Sequence, residues 1–232
     1  MSNFNSDGSQ ENEWEDRGEL AWNEFDWERY LREQDEAVRR YLNFYSATPP
    51  TGAADRIDAV AEKMGWGQDN WSDEIADLAD DDDDDEDDDS SELFDEDDVY
   101  TLHKNPIFIA TKAIYLGLRE SWEALAVDGA HVPQDLAVRL LASLHRGEEQ
   151  SVQAIHALDF GDYAMAVSLL KRAMSALNGT LALLHRDQVA DLPAIAAWRE
   201  PAQQSLFDLR EIWLRVMAEC RDELDRPGDD EN

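Results

Sequence analysis

The 232-residue chain has little of several things: one cysteine (Cys220), four lysines, and no run of about 18 apolar residues. A single thiol cannot close an intramolecular disulfide, and a zinc site built on several cysteines is excluded with it. The lack of a long apolar run argues against a transmembrane helix. The polar stretch Met1 to Asn12 also lacks the cationic and apolar regions of a secretory leader. A soluble, cytoplasmic protein is the expectation. No segment shows the clean period-two alternation of a half-buried strand. Basic charge is scarce as well, with 20 Lys+Arg against 54 Asp+Glu and a formal net charge of −34. Such a charge repels phosphate backbones and anionic headgroups, so neither nucleic acid nor a membrane surface is an expected partner. A glycine-rich phosphate loop, a Gly-x-Ser-x-Gly elbow and a His-Glu-x-x-His pair are all missing.

The chain does have 43% hydrophobic residues, enough for a sizeable core. Its acidity is unevenly spread. Residues 64 to 104 hold 19 acids and the single base Lys104, whereas residues 105 to 226 hold 17 acids and 12 bases. At the centre of the first stretch, Asp80 to Asp89 is unbroken acid, aspartate except for Glu86. Adjacent like charges with nothing apolar to bury predict a solvated spacer. A calcium loop would need a turn glycine, which the run lacks. The predicted organisation is a disordered tail (1–12), an aromatic amphipathic helix (13–47), a linker with short helices and the Asp-rich run (48–104), a helical bundle (105–226) and a second tail (227–232).

Helical periodicity dominates the rest. A long helix from Glu13 to Ser46 is predicted, ending before Thr48-Pro49-Pro50. Leu20, Trp27, Leu31, Gln34, Val38, Tyr41, Leu42 and Tyr45 share one stripe of it, suited to burial against a bundle. A second apolar patch, Trp14, Gly18, Ala21, Trp22 and Phe25, lies on another face. Ala54 to Met64 reads as a short helix stopped at Gly65, and Ser72 can cap another through Leu78; Trp66 and Trp71 are placed to tack this segment to a neighbour.

Four longer helices follow. Asn105 caps the first with Pro106 at its first position, and Pro133 opens the second. Gly161-Asp162 marks a tight reversal into the third, and Asp191 and Pro193 open the fourth. Pro201 should kink that helix or split off its first turn. Long helices joined by short turns pack antiparallel, so the predicted fold is all-α: an up-down four-helix bundle with an additional N-terminal helix.

The histidines are the first candidates for chemistry. His145, Glu149 and His156 share one face of the second bundle helix, but that face points away from its Leu140/Leu144/Leu158 stripe. The two histidines are also about 16 Å apart along the axis. No metal, cofactor or catalytic residue is therefore predicted, and Cys220 reads as a small core hydrophobe on the seam of the fourth helix. Arg139 and His145 have the Arg-x(4 to 6)-His spacing of the RNA-cleaving HEPN-like domains, and the resemblance ends with that spacing. Gly161-Asp162-Tyr163, Ala166, Leu170 and Ala173 resemble the turn and second helix of one tetratricopeptide repeat, a stretch of about 13 residues that does not recur.

The expected function is non-enzymatic protein–protein interaction, with Trp14, Trp22, Phe25, Trp27 and Tyr30 as the partner-binding residues. Aromatic side chains supply large contact area at low entropic cost. The partner is expected to be another protein or a second copy of the chain. The alternatives are an acidic mimic or regulator of a basic, nucleic-acid-binding protein, and a bundle enzyme of HEPN-like or metal-binding type.

Overall fold

The computed structural model describes residues 23–50, 52–66, 105–127, 129, 132–186 and 192–226. They form six helices: α1 Glu24–Ala47, α2 Ala53–Met64, α3 Pro106–Ala126, α4 Gln134–Asp159, α5 Tyr163–Leu184 and α6 Pro193–Asp225. No strand occurs among the described residues. The fold is all-α, and α3 to α6 form an antiparallel four-helix ring in which α3 packs on α4 and α6, and α5 on α4 and α6. The expected helix through Ser72 and the placement of Trp71 lie outside the described residues, as does the Asp80 to Asp89 run.

Local chemistry sets most of the helix ends. Asn105 accepts from the Phe108 N–H, and Pro106 gives up no hydrogen bond at the first position. Asp162 caps α5 by accepting from the Met165 N–H, and Gly161 next to it has φ +69°. Gly65 ends α2 in the left-handed region at φ +83°, where a side chain is disfavoured. The start of α1 differs from the expected Glu13. Asn23 is extended, its side chain accepts from the Phe25 and Asp26 N–H groups, and Asp26 accepts in return from the Asn23 N–H. This reciprocal capping box begins the described helix at Glu24; the residues before Asn23 lie outside the described set.

Pro201 does not split the last helix. Helix α6 is one unbroken element from Pro193 to Asp225, with Pro201 inside it. Its first two turns are anchored on both sides of the proline, because Ile195, Trp198 and Ala202 are buried. Trp198 packs on Trp122 at 4.9 Å between ring centres and donates to the Ser121 hydroxyl. That burial keeps the segment helical on both sides of the proline despite the lost backbone hydrogen bond.

Helices α1 and α2 belong to the same core. Tyr41 and Tyr45 of α1 and Ile57 and Val60 of α2 are buried in one apolar cluster with the bundle residues. α1 lies on α3, and α2 lies between α1 and α6. The close approach of α1 to α3 depends on Gly117, where an added Cβ would lie 2.8 Å from the Leu42 Cδ1. Trp66, just past α2, stacks on Tyr41 at 5.6 Å, the tacking contact expected of it.

Candidate functional site: the projecting end of helix α1

The expected apolar stripe of α1 is buried in only its second half. Val38, Tyr41 and Tyr45 are inaccessible and Gln34 and Leu42 half-buried, but Trp27 and Leu31 are 52% and 49% exposed. The cause is geometric. Leu42 meets Gly117, and α1 and α3 run in the same direction, with Gln34 and Asp35 beside Lys112 in a shared cleft. Helix α3 begins eleven residues before Gly117, so at 1.5 Å per residue it ends near the level of Leu31. Everything N-terminal to that level overhangs.

On this overhang the structure places three of the expected partner-binding residues. Phe25 is 75% exposed, Trp27 half-exposed, and Tyr30 half-buried with its ring edge-on to Trp27 at 5.9 Å. Phe25 and Trp27 are two positions apart and so leave the helix on different sides. Trp14 and Trp22 lie outside the described residues. Two surface ion pairs, Arg29 with Asp26 at 3.0 Å and Arg32 with Glu28 at 2.9 Å, brace the exposed turns. At this exposure each is worth a few tenths of a kcal/mol.

The other end of α1 is fixed by a buried polar latch that sequence reading missed. The Tyr45 hydroxyl donates to Asp208 of α6 at 2.5 Å and lies 3.2 Å from the Ser205 hydroxyl. Arg56 of α2 covers the Tyr45 ring with its guanidinium 3.6 Å from the ring centre. It also donates to the Tyr45 carbonyl at 2.8 Å and reaches Asp208 at 3.4 Å. Burial pushes the Asp208 carboxyl above its usual range, with the Tyr45 hydrogen bond and Arg56 pulling the other way. Burial, then Asp208, pushes the Tyr45 phenol upward, so it stays a donor. The only local hint was Asp208 next to Leu209 on a helix whose buried row is otherwise apolar.

A second cluster lies between the overhang and the latch. Glu148 of α4 is buried and takes both Lys112, at 2.7 Å, and Arg119 of α3. Beside them a cleft of about 150 Å³ is lined by Gln34, Asp35, Val38, Arg39, Lys112, Leu116 and Arg119. Burial, then the neighbouring Arg119 charge, lowers the Lys112 amine below its usual value. Glu148 has carboxylate oxygens on both cations, so the cluster ties α3 to α4 beneath α1. Gly147 is buried here, and the Tyr115 hydroxyl fills the space that a side chain would take.

The remaining candidates are dispersed. His145, Glu149 and His156 are exposed on α4, and among the described residues no three His, Cys, Asp or Glu side chains are grouped to hold a metal ion. Arg139 pairs with Asp135 of its own helix. Cys220 is buried and its thiol is pushed up to about 11 by that burial, which leaves no thiolate at neutral pH. No described helix is long and apolar enough to cross a membrane. Comparison of the chain with protein-family models, with curated proteins and with solved structures finds no match.

Proposed function

We propose that the protein is a non-enzymatic interaction module of the cytoplasm whose helix α1 presents exposed aromatic side chains to a protein partner or to a second copy of the chain. The observation that carries this reading is the contrast along one helix: the latched half is buried, while Phe25, Trp27 and Leu31 stand exposed on folded, capped turns. Large apolar side chains held in water on an ordered helix cost solvation free energy, of the order of 1 kcal/mol or more each, which a docked partner recovers. A helix already folded and capped also loses little conformational entropy on binding.

A photo-crosslinking residue at Phe25 tests this in the cells that make the protein. It should capture one discrete partner, or the chain itself, whereas the same residue at exposed Ala142 of α4 should not. Light scattering on the purified chain then separates self-association from a foreign partner. Identical crosslinking patterns at positions 25 and 142 would overturn the reading.

A further inference from the structure

The chain has four lysines, Lys63, Lys104, Lys112 and Lys171. Lys63 and Lys171 are exposed on α2 and α5. Lys112 is placed differently. It lines the cleft of about 150 Å³ between α1 and α3, with 35% of its side chain accessible and its Nζ 2.7 Å from Glu148. Glu148 is only 8% accessible, and its other carboxylate oxygen takes the Arg119 guanidinium.

This arrangement favours a neutral amine at Lys112. Two cations share one buried carboxylate, and of the two only the lysine can give up a proton. When it does, Glu148 stays paired with Arg119, so no buried charge is orphaned. The repulsion between Lys112 and Arg119 is relieved in the same step. Burial, then Arg119, lowers the amine, while Asp35 on the α1 wall of the cleft pulls the other way. A lysine desolvated beside a second cation is an activated nucleophile. The cleft has room for a small acyl group against Val38 and Leu116. Arg39 and Arg119 line it too, and they favour a donor whose leaving group is anionic. The product amide keeps one N–H, which can still donate to Glu148.

We propose that Lys112 is a covalent modification site that takes the acyl group of a small acyl phosphate, with Arg39 and Arg119 facing the phosphate and Glu148 receiving a proton. The ammonium first gives one proton to solvent. The Nζ lone pair then attacks the carbonyl carbon, the C–O bond to the phosphate oxygen breaks, and phosphate departs with that electron pair. The second proton passes from Nζ to Glu148 and on to the phosphate, leaving a neutral amide. The mark lies against Gln34, Asp35 and Val38, the first docked turns of α1, and does not depend on what the projecting half of that helix binds.

The test incubates the full chain with acetyl phosphate at neutral pH and follows acetylation of all four lysines by peptide mass spectrometry, with the same reaction in concentrated urea as the reference. Relative to that reference, Lys112 of the folded chain should react about threefold or more faster than Lys63 and Lys171. Arg119→Gln, checked for unchanged helicity and Tm, should bring Lys112 down to the rate of Lys171. A neutral acetyl ester should show a smaller preference for Lys112 than acetyl phosphate does. Folded Lys112 reacting no faster than Lys171 overturns the proposal, and this comparison needs no variant. An undiminished preference in folded Arg119→Gln overturns it as well. Equal preference with the neutral ester removes the phosphate from recognition, and the proposed donor class falls with it.

Discussion

The two halves of α1 have similar composition and opposite fates. From Gln34 to Ala47 the helix lies on α3 and is tied by Tyr45 to Asp208 on α6. From Glu24 to Glu33 it offers aromatic side chains of the same kind and buries few of them. An aromatic stripe thus becomes core or exposed surface according to how far the neighbouring helix extends. Here α3 ends, and with it the burial.

The largest expected effect comes from breaking the docked half. Tyr45→Ala removes a buried ring and leaves Asp208 and Arg56 without their shared partner, and it should cost about 3 to 5 kcal/mol of unfolding free energy in a urea titration. Tyr45→Phe keeps the ring and deletes the 2.5 Å hydrogen bond. It should cost about 1 to 3 kcal/mol, and a cost near zero would mean that the ring alone holds α1 down.

The latch also makes the docked half pH-sensitive. Burial raises the Asp208 carboxyl in the folded state, so that state holds the proton more tightly than the unfolded chain does. The stabilisation from this proton is fully present below the ordinary aspartate pKa of about 4 and is lost as pH rises through the raised value. Asp208→Asn should therefore flatten this part of the stability profile just above pH 4. A profile parallel to the wild type would show that Asp208 does not titrate there.

The smallest effect is expected in the projecting half. Phe25→Ser with Trp27→Ser should change unfolding free energy by no more than about 0.5 kcal/mol per site, because neither side chain is buried. Hydrogen exchange sharpens the same contrast, since amides of residues 28–33 should exchange faster than those of residues 38–45. Equal protection of the two stretches would mean that the exposed turns are held by something beyond α1 itself.

What could be read from sequence was the part decided by neighbours along the chain. Asn105-Pro106, Gly161-Asp162 and Gly65 fix helix ends through their own caps and backbone preferences, and the apolar spacing of the four bundle helices fixes which faces meet. The aromatic character of α1 was equally plain. Its division into two halves was not, because that depends on where α3, starting at Pro106, ends alongside it. The latch was invisible for the same reason: Tyr45, Arg56 and Asp208 are brought together from three helices, and none of their local patterns announces a partner. Pro201 does not split α6, because Trp198 and Ala202 are buried on each side of it.

The latch has a consequence for the order in which the molecule assembles. Tyr45 and Asp208 are separated by 163 residues, whereas α4 and α5 are joined through Phe160 to Asp162 and close as a hairpin. Loop-closure entropy favours the hairpin first and the latch late, once α6 has already found its place. The aromatic overhang is then held out from the bundle only in a chain that has completed its fold, so a partner of the kind proposed would select finished molecules over partly assembled ones.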